Sequence, residues 1–345
     1  MRKFTLALLL TTTTVFAADK PKNVILMIGD GMGPAHFTIA RYARGVDNSR
    51  ISTMPVVGLV TTFCADRAVT DSAAAATALA TGNKTNYEML SVSPDGAPLP
   101  TVLERAHAAG KATGTVTTTN FYDATPSAFT AHAIHRHREN EIVPQILRSG
   151  INLVAGGGLE GLGKGIVPDF DTTFNGTGFT VLRTRAEMDA AKGDKLFVLY
   201  KTQERDRDNP EFPLPVLAKW AIDHLKSDPD GFFLMVEQEG TDSASHQNYG
   251  PDVSTSARSF DEAVGVALDF ASTRTDTLVV VTGDHETGGM RISESPTTHK
   301  YRMEWSTTEH TATAVPIFAF GPGASVFAGF QDNTDVGKKL IAFQQ

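Results

Sequence analysis

Residues Val24-Ile25-Leu26-Met27-Ile28 are apolar at every position, and the run stops at Gly29-Asp30-Gly31. A strand with one face in water alternates polar and apolar residues. A strand that is apolar throughout must be covered on both faces, as in a parallel sheet packed between helices. Similar runs occur at 113–116, 232–236, 278–281 and 315–320. Between them lie stretches with helical spacing, at 72–80, 101–109, 214–225 and 257–270. Strands alternating with helices predict an α/β fold, a three-layer sandwich with a central, mostly parallel sheet and helices on both faces. The 345 residues are enough for a large core, and residues 18–345 read as a single catalytic domain. Segments near 156–208 and 286–309 interrupt the pattern with polar, glycine-rich or charged sequence. They are expected to leave the core sheet and form a small cap or a dimer contact.

Residues 1–17 read as a signal peptide. Arg2 and Lys3 precede the apolar run 4–10, and Val15-Phe16-Ala17 resembles a cleavage site. The run is too short to span a bilayer, and no later segment is long and apolar enough, so the expectation is a periplasmic or secreted protein without a transmembrane segment. The formal charge is −8, and loss of Arg2 and Lys3 makes it more negative. That balance argues against specific nucleic-acid binding, which needs a basic surface. It leaves anionic substrates open, because bound divalent cations dominate their local field. Cys64 is the single cysteine, so no internal disulfide exists, and a small buried residue is expected there.

In parallel sheets, ligands bind beyond the carboxyl ends of the strands. Asp30 follows the first run, Glu237 the run at 232–236, and Asp284 with His285 the run at 278–281. Separate segments thus deliver carboxylates and an imidazole to one edge. Asp242 and His246 stand four apart and would share a helix face. With Asp30 and His310 these residues form a set of nitrogen and oxygen donors that suits zinc in a site without thiols. Ser72 opens an alanine-rich helix over 73–80, which Thr70 or Asp71 can cap and Gly82 can end. A helix start of this kind favours phosphate, through free N–H groups and the helix dipole.

Five segments carry a family resemblance: 23–33 (NVILMIGDGMG), 69–77 (VTDSAAAAT), 123–126 (DATP), 280–285 (VVTGDH) and 310–312 (HTA). In this order they resemble the metal-dependent bacterial alkaline phosphatases, over essentially the whole chain beyond the leader. The resemblance implies hydrolysis of phosphate monoesters at alkaline pH through a phosphoserine on Ser72. It implies two zinc ions, one held by Asp242, His246 and His310 and the other by Asp30, Asp284 and His285. A magnesium ion would sit with Thr125 and Glu237, bridged by Asp30 and reached by Asp123. Arg136 matches the arginine that clamps phosphate, and a homodimer is implied. Ser243 departs from the larger or charged residues that relatives often carry, which suggests a more open phosphate pocket.

Rival readings are weaker. A sulfatase needs a Cys/Ser-x-Pro-x-Arg setting, and neither Cys64 nor Ser72 has the proline two residues on. A phosphodiesterase of the same superfamily generally uses threonine as nucleophile. A non-catalytic phosphate binder has no reason to keep every ligand and Ser72. His132, His135 and His137 are spaced as on an ordinary helix and read as structural, while His299 lies within the variable segment, where it could approach the site.

Overall fold

The run at 24–28 lies in the middle of a sheet and is covered on both sides. The protein is described by a computed structural model over residues 20–163, 169–201 and 211–344; the signal peptide expected at 1–17 lies outside the described residues. The strands are β1 (Asn23–Gly29), β2 (Val56–Thr61), β3 (Ala112–Asn120), β4 (Leu153–Gly157), β5 (Thr180–Leu182), β6 (Leu196–Leu199) and β7 (Phe232–Gln238). They continue with β8 (Thr277–Gly283), β9 (Glu286–Thr287), β10 (Arg291–Glu294), β11 (Tyr301–Glu304), β12 (His310–Thr311), β13 (Val315–Phe320) and β14 (Gly329–Asp332). Ten of these form one sheet in the order β14-β2-β13-β8-β1-β7-β3-β4-β6-β5.

Every residue of β1, β7 and β8 is buried. Successive side chains of a strand point to opposite faces, and here the two faces meet separate apolar layers. Ile25 and Met27 enter one core with Phe37, Leu217, Phe260 and Val264, from the helices Pro34–Arg44, Leu214–Leu225 and Gly250–Ser272. Val24, Leu26 and Ile28 enter the other with Ala76, Leu103, Phe129, Ile146 and Leu340, from five further helices. This is the three-layer arrangement that continuous apolar runs require. The alanine-rich helix Ser72–Thr81 is buried along its whole length. Its small side chains permit close approach of the helix Asn333–Ala342, where a Cβ on Gly337 would come within 2.2 Å of the Ala78 carbonyl oxygen.

The sheet is parallel except at β13, which runs antiparallel to both β8 and β2. Its apolar run by itself does not reveal this. β8 ends at the carboxyl edge, the chain stays at that edge through residue 311, and β13 re-enters from there in the opposite direction. The segment at 156–208, expected to leave the core, instead supplies β5 and β6, two short parallel strands that extend the sheet on its far side. Segment 286–309 stays outside the ten-stranded sheet, where β10 and β11 form an antiparallel hairpin and β9 pairs with β12. Among the described residues no helix is long and apolar enough to cross a membrane.

Candidate active site

Three parallel strands place the first acids. Ile28 of β1 stands beside Glu237 of β7 and Thr282 of β8, so Asp30, Glu237 and Asp284 emerge together at the carboxyl edge. Gly31 lets the chain turn sharply there. Its φ is +71°, and a Cβ would lie 2.8 Å from an Asp242 carboxylate oxygen. The helix Gly240–His246 carries Asp242 and His246 one turn apart, on one face. Pairing of His310 with Thr287 in the β12–β9 ladder returns His310 to the same place.

The result is two clusters of donors. Asp242, His246 and His310 bring one ligand atom each within 4.8 Å of one another, and so do Asp30, Asp284 and His285. His246 Nε2 lies 3.2 Å from Asp242 Oδ2 and His310 Nε2 3.5 Å from Asp242 Oδ1. In the second cluster His285 Nε2 is 3.4 Å from Asp30 Oδ1 and 3.3 Å from Asp284 Oδ2. Those two buried carboxylate oxygens have no hydrogen-bond partner. The rings of His285 and His310 stack at 3.6 Å and join the clusters. Ser72 Oγ sits 3.3 Å from His285 Nε2.

Asp71 accepts from Ala74 N at 3.1 Å and caps the helix that Ser72 opens. Its other oxygen holds Arg136 at 3.3 Å, and Asp123 holds the second arm of the same guanidinium at 3.0 Å. Asp123 also accepts from Thr119. Glu237 accepts from Thr117 Oγ1 at 2.5 Å, with Thr125 buried beside it. Thr287 donates to Asp242 and lies 3.3 Å from His285 Nδ1, tying the two clusters together. Thr287, Thr117 and the anchoring role of Asp71 do not stand out in the sequence; their positions behind predicted ligands are the only signal. Ser243 does not line the cavity around Ser72 and donates to Glu239.

His132, His135 and His137 do not lie on the helix that their spacing suggests. The segment from Ala131 to Arg138 is irregular, not helical. His132 Nε2 is 3.0 Å from Glu104, and His135 Nε2 is 3.0 Å from Glu88. His299 occupies an exposed turn and pairs with Glu294 at 2.9 Å.

Crowding of acids in a dry site sets the electrostatics. Burial, and then Asp284, Asp242 and Glu237, hold the Asp30 carboxyl well above its ordinary value. Burial and Asp242 push Asp284 up to about 7. Glu237 rises to about 8 through burial, against the Thr117 hydrogen bond and with Asp123 adding to the rise. Asp242 goes the other way: burial opposes ionisation, but His246, His285 and His310 hold it far below the usual range. Its hydrogen bond raises His246 to about 9. The carboxylates repel one another, and two of their oxygens lack donors. Divalent cations meet both needs, and imidazole with carboxylate suits zinc.

These shifts predict how the metal-free protein responds to pH. A carboxyl raised on folding is ionised at a penalty, so its contribution falls as pH climbs to the folded value. A histidine raised by a partner stabilises below its unfolded value and loses this as pH passes the folded one. Glu237 and His246 therefore act in the same direction from pH 6.5 to about 8, and His246 alone continues to about 9. The metal-free melting temperature should fall by about 2 °C or more across that window. Adding zinc should raise it more at the alkaline end, because metal binding needs deprotonated ligands. Calorimetry in chelator, with and without added metal, measures both; a metal-free melting point that rises with pH would contradict the assignment.

A sequence profile of the alkaline phosphatase family matches residues 21–303 and 290–345. The chain belongs to the alkaline phosphatase family. Alkaline phosphatase 3 of Bacillus subtilis is 29% identical, over 94% of this chain and 89% of its own length. The streptomycin-6-phosphate phosphatase of Streptomyces griseus is 31% identical, over 94% of this chain and 91% of its own. The solved alkaline phosphatase of the Antarctic bacterium TAB5 superposes with a TM-score of 0.87 at 31% identity, covering 94% of this chain and 98% of that one. A His-to-Asp variant of that enzyme, with magnesium bound in its M3 site, superposes at 0.83 and 30% identity. This alkaline phosphatase is accordingly a metal-dependent enzyme that hydrolyses phosphate monoesters.

Proposed function

We propose that this alkaline phosphatase works through a phosphoserine on Ser72, with two zinc ions and one magnesium ion per chain. The observation that carries the reading is the position of Ser72 Oγ, beside His285 of one donor cluster, whose ring stacks on His310 of the other. Asp242, His246 and His310 would hold one zinc, and Asp30, Asp284 and His285 the second. Glu237, Asp123 and Thr125 offer only oxygen, which suits magnesium. The TAB5 variant that carries an aspartate binds magnesium in its M3 site, and the donor group proposed here likewise includes an aspartate, Asp123. Bound metals would supply Lewis acidity to the attacking and leaving oxygens.

The chain's own residues do the rest. Ser72 stands at the first turn of a buried ten-residue helix, whose unpaired amides and dipole favour the negative charge that gathers at Oγ and on the phosphoryl group. Oγ attacks phosphorus, the ester P–O bond breaks, and the alcohol leaves with a proton. Water then cleaves the P–Oγ bond, releasing inorganic phosphate and restoring the hydroxyl. Arg136, held by Asp71 and Asp123, presents a planar fork that matches two phosphoryl oxygens. Thr287 and Thr117 fix the carboxylates behind the reacting centre. Peptide mass spectrometry after acid quench of a turnover mixture tests the reading directly, since it requires phosphate on Ser72 and on no other residue. Export to the periplasm or medium and a homodimeric state complete the proposal.

Arg136→Ala should raise KM for an aryl phosphate, and the inhibition constant of phosphate, by about tenfold or more, as expected for loss of a charge-assisted bidentate pair. Arg136→Lys should recover little of this, because an ammonium group cannot form the fork. Unchanged phosphate inhibition in either variant would remove Arg136 from the phosphate site.

A further inference from the structure

The cavity that holds Ser72, Arg136, Asp242, His246 and His310 has a rim that the chemistry above does not use. Arg67 and Tyr87 line it. The guanidinium carbon of Arg67 lies over the Tyr87 ring, 4.1 Å from its centre. Its ion pair with Asp66 is loose at 3.7 Å, and 58% of the side chain is exposed. The backbone straps these residues together. Cys64 N donates to the Arg67 carbonyl at 3.2 Å and Ala65 N to that of Thr85 at 2.8 Å. Asp66 Oδ1 accepts from Tyr87 N at 2.9 Å. The arginine is thus positioned before any ligand arrives, which lowers the cost of binding. Stacking covers one face of a guanidinium and leaves its N–H edge available to an anion.

A monoester with phosphorus at Ser72 must lead its alcohol portion out through this cavity, past the rim. Arg136 is already bound to Asp71 and Asp123, close to the reacting centre. Glu309 also lines the cavity and disfavours anions where it stands, so Arg67 is, besides Arg136, the lining residue with a fixed positive charge to offer. We propose that Arg67, held on Tyr87, binds a second anionic group on the leaving side of the substrate. The enzyme would then favour monoesters of charged alcohols, such as phosphorylated hydroxy acids or sugar bisphosphates, over esters of neutral alcohols. This rests on the reading that Ser72 marks the reacting centre.

The test compares 3-phosphoglycerate with glycerol 3-phosphate, two probes that differ in a carboxylate against a hydroxymethyl group. The quantity read is the ratio of their kcat/KM values in wild type, Arg67→Gln and Arg67→Lys. In Arg67→Gln the ratio should fall about fivefold, the size expected of a solvent-exposed ion pair, and the change should lie in KM. Arg67→Lys should keep part of the preference. Raising salt to roughly 0.5 M should lower the wild-type ratio through screening and leave that of Arg67→Gln alone. Equal ratios in wild type and Arg67→Gln, even with both rates reduced, would overturn the proposal. A failure of the Ser72 reading looks different: phosphate would be absent from Ser72 during turnover, whatever the ratio.

Discussion

Ser72→Ala should lower kcat for an aryl phosphate by a factor of about 10⁴ or more, as removal of an enzyme nucleophile does, and should leave no phosphate on the 72–81 helix. The residue is buried, and its hydroxyl is not needed to cap the helix, because Asp71 does that. The variant should therefore fold and keep its metals. Alanine is also the residue that follows at four successive positions, so packing is little disturbed. This separates the chemical role from a structural one: the melting temperature and metal content stay near wild type while turnover collapses. A variant that keeps more than about a tenth of wild-type kcat would point to direct attack by water and end the nucleophile assignment.

The acids at the carboxyl edge are legible in the sequence for a physical reason. Asp30 and Asp284 directly follow strands buried on both faces, and parallel neighbours must end at the same edge. Glu237 lies within its strand, yet register sets it beside Ile28. Asp242 and His246 are placed by helical spacing alone. Other features depend on contacts that spacing does not encode. The direction of β13 follows from where the chain re-enters the sheet. β5 and β6 have three and four residues, too short to stand out beside polar neighbours. The spacing of His132, His135 and His137 suits a helix, but the segment is pinned by Gln145, Glu104 and Glu88 to an irregular course. Thr287 looks like any polar residue until the β9–β12 pairing brings it to Asp242 and His285. Arg67 and Tyr87 are twenty residues apart and become a pair only through a folded-back loop. What sequence misses here is the layer behind and around the ligands.

Asp284→Asn should separate stability from function, as expected where a site carries strain that serves its chemistry. Asp284 Oδ1 accepts from Gly31 N at 3.1 Å and from His285 N at 2.9 Å, and an asparagine oxygen can keep both bonds. Its Oδ2 has no donor and faces a cluster in which burial and Asp242 already push the carboxyl up to about 7. Removing that charge relieves repulsion in the metal-free protein while deleting a ligand from the second cluster. The metal-free variant should melt at or above the wild-type temperature at pH 8, where the native carboxyl is ionised at a penalty. Metal affinity at that cluster should fall by more than about 100-fold, beyond the loss usually seen for an outer-shell partner. Turnover should fall with it, and excess zinc should stabilise the variant less than wild type. Metal analysis after dialysis, with calorimetry in chelator and in excess zinc, reads all of these. Full metal content with normal turnover would show that Asp284 is not a ligand. A large drop in metal-free melting temperature would show that its charge serves the fold rather than the metal.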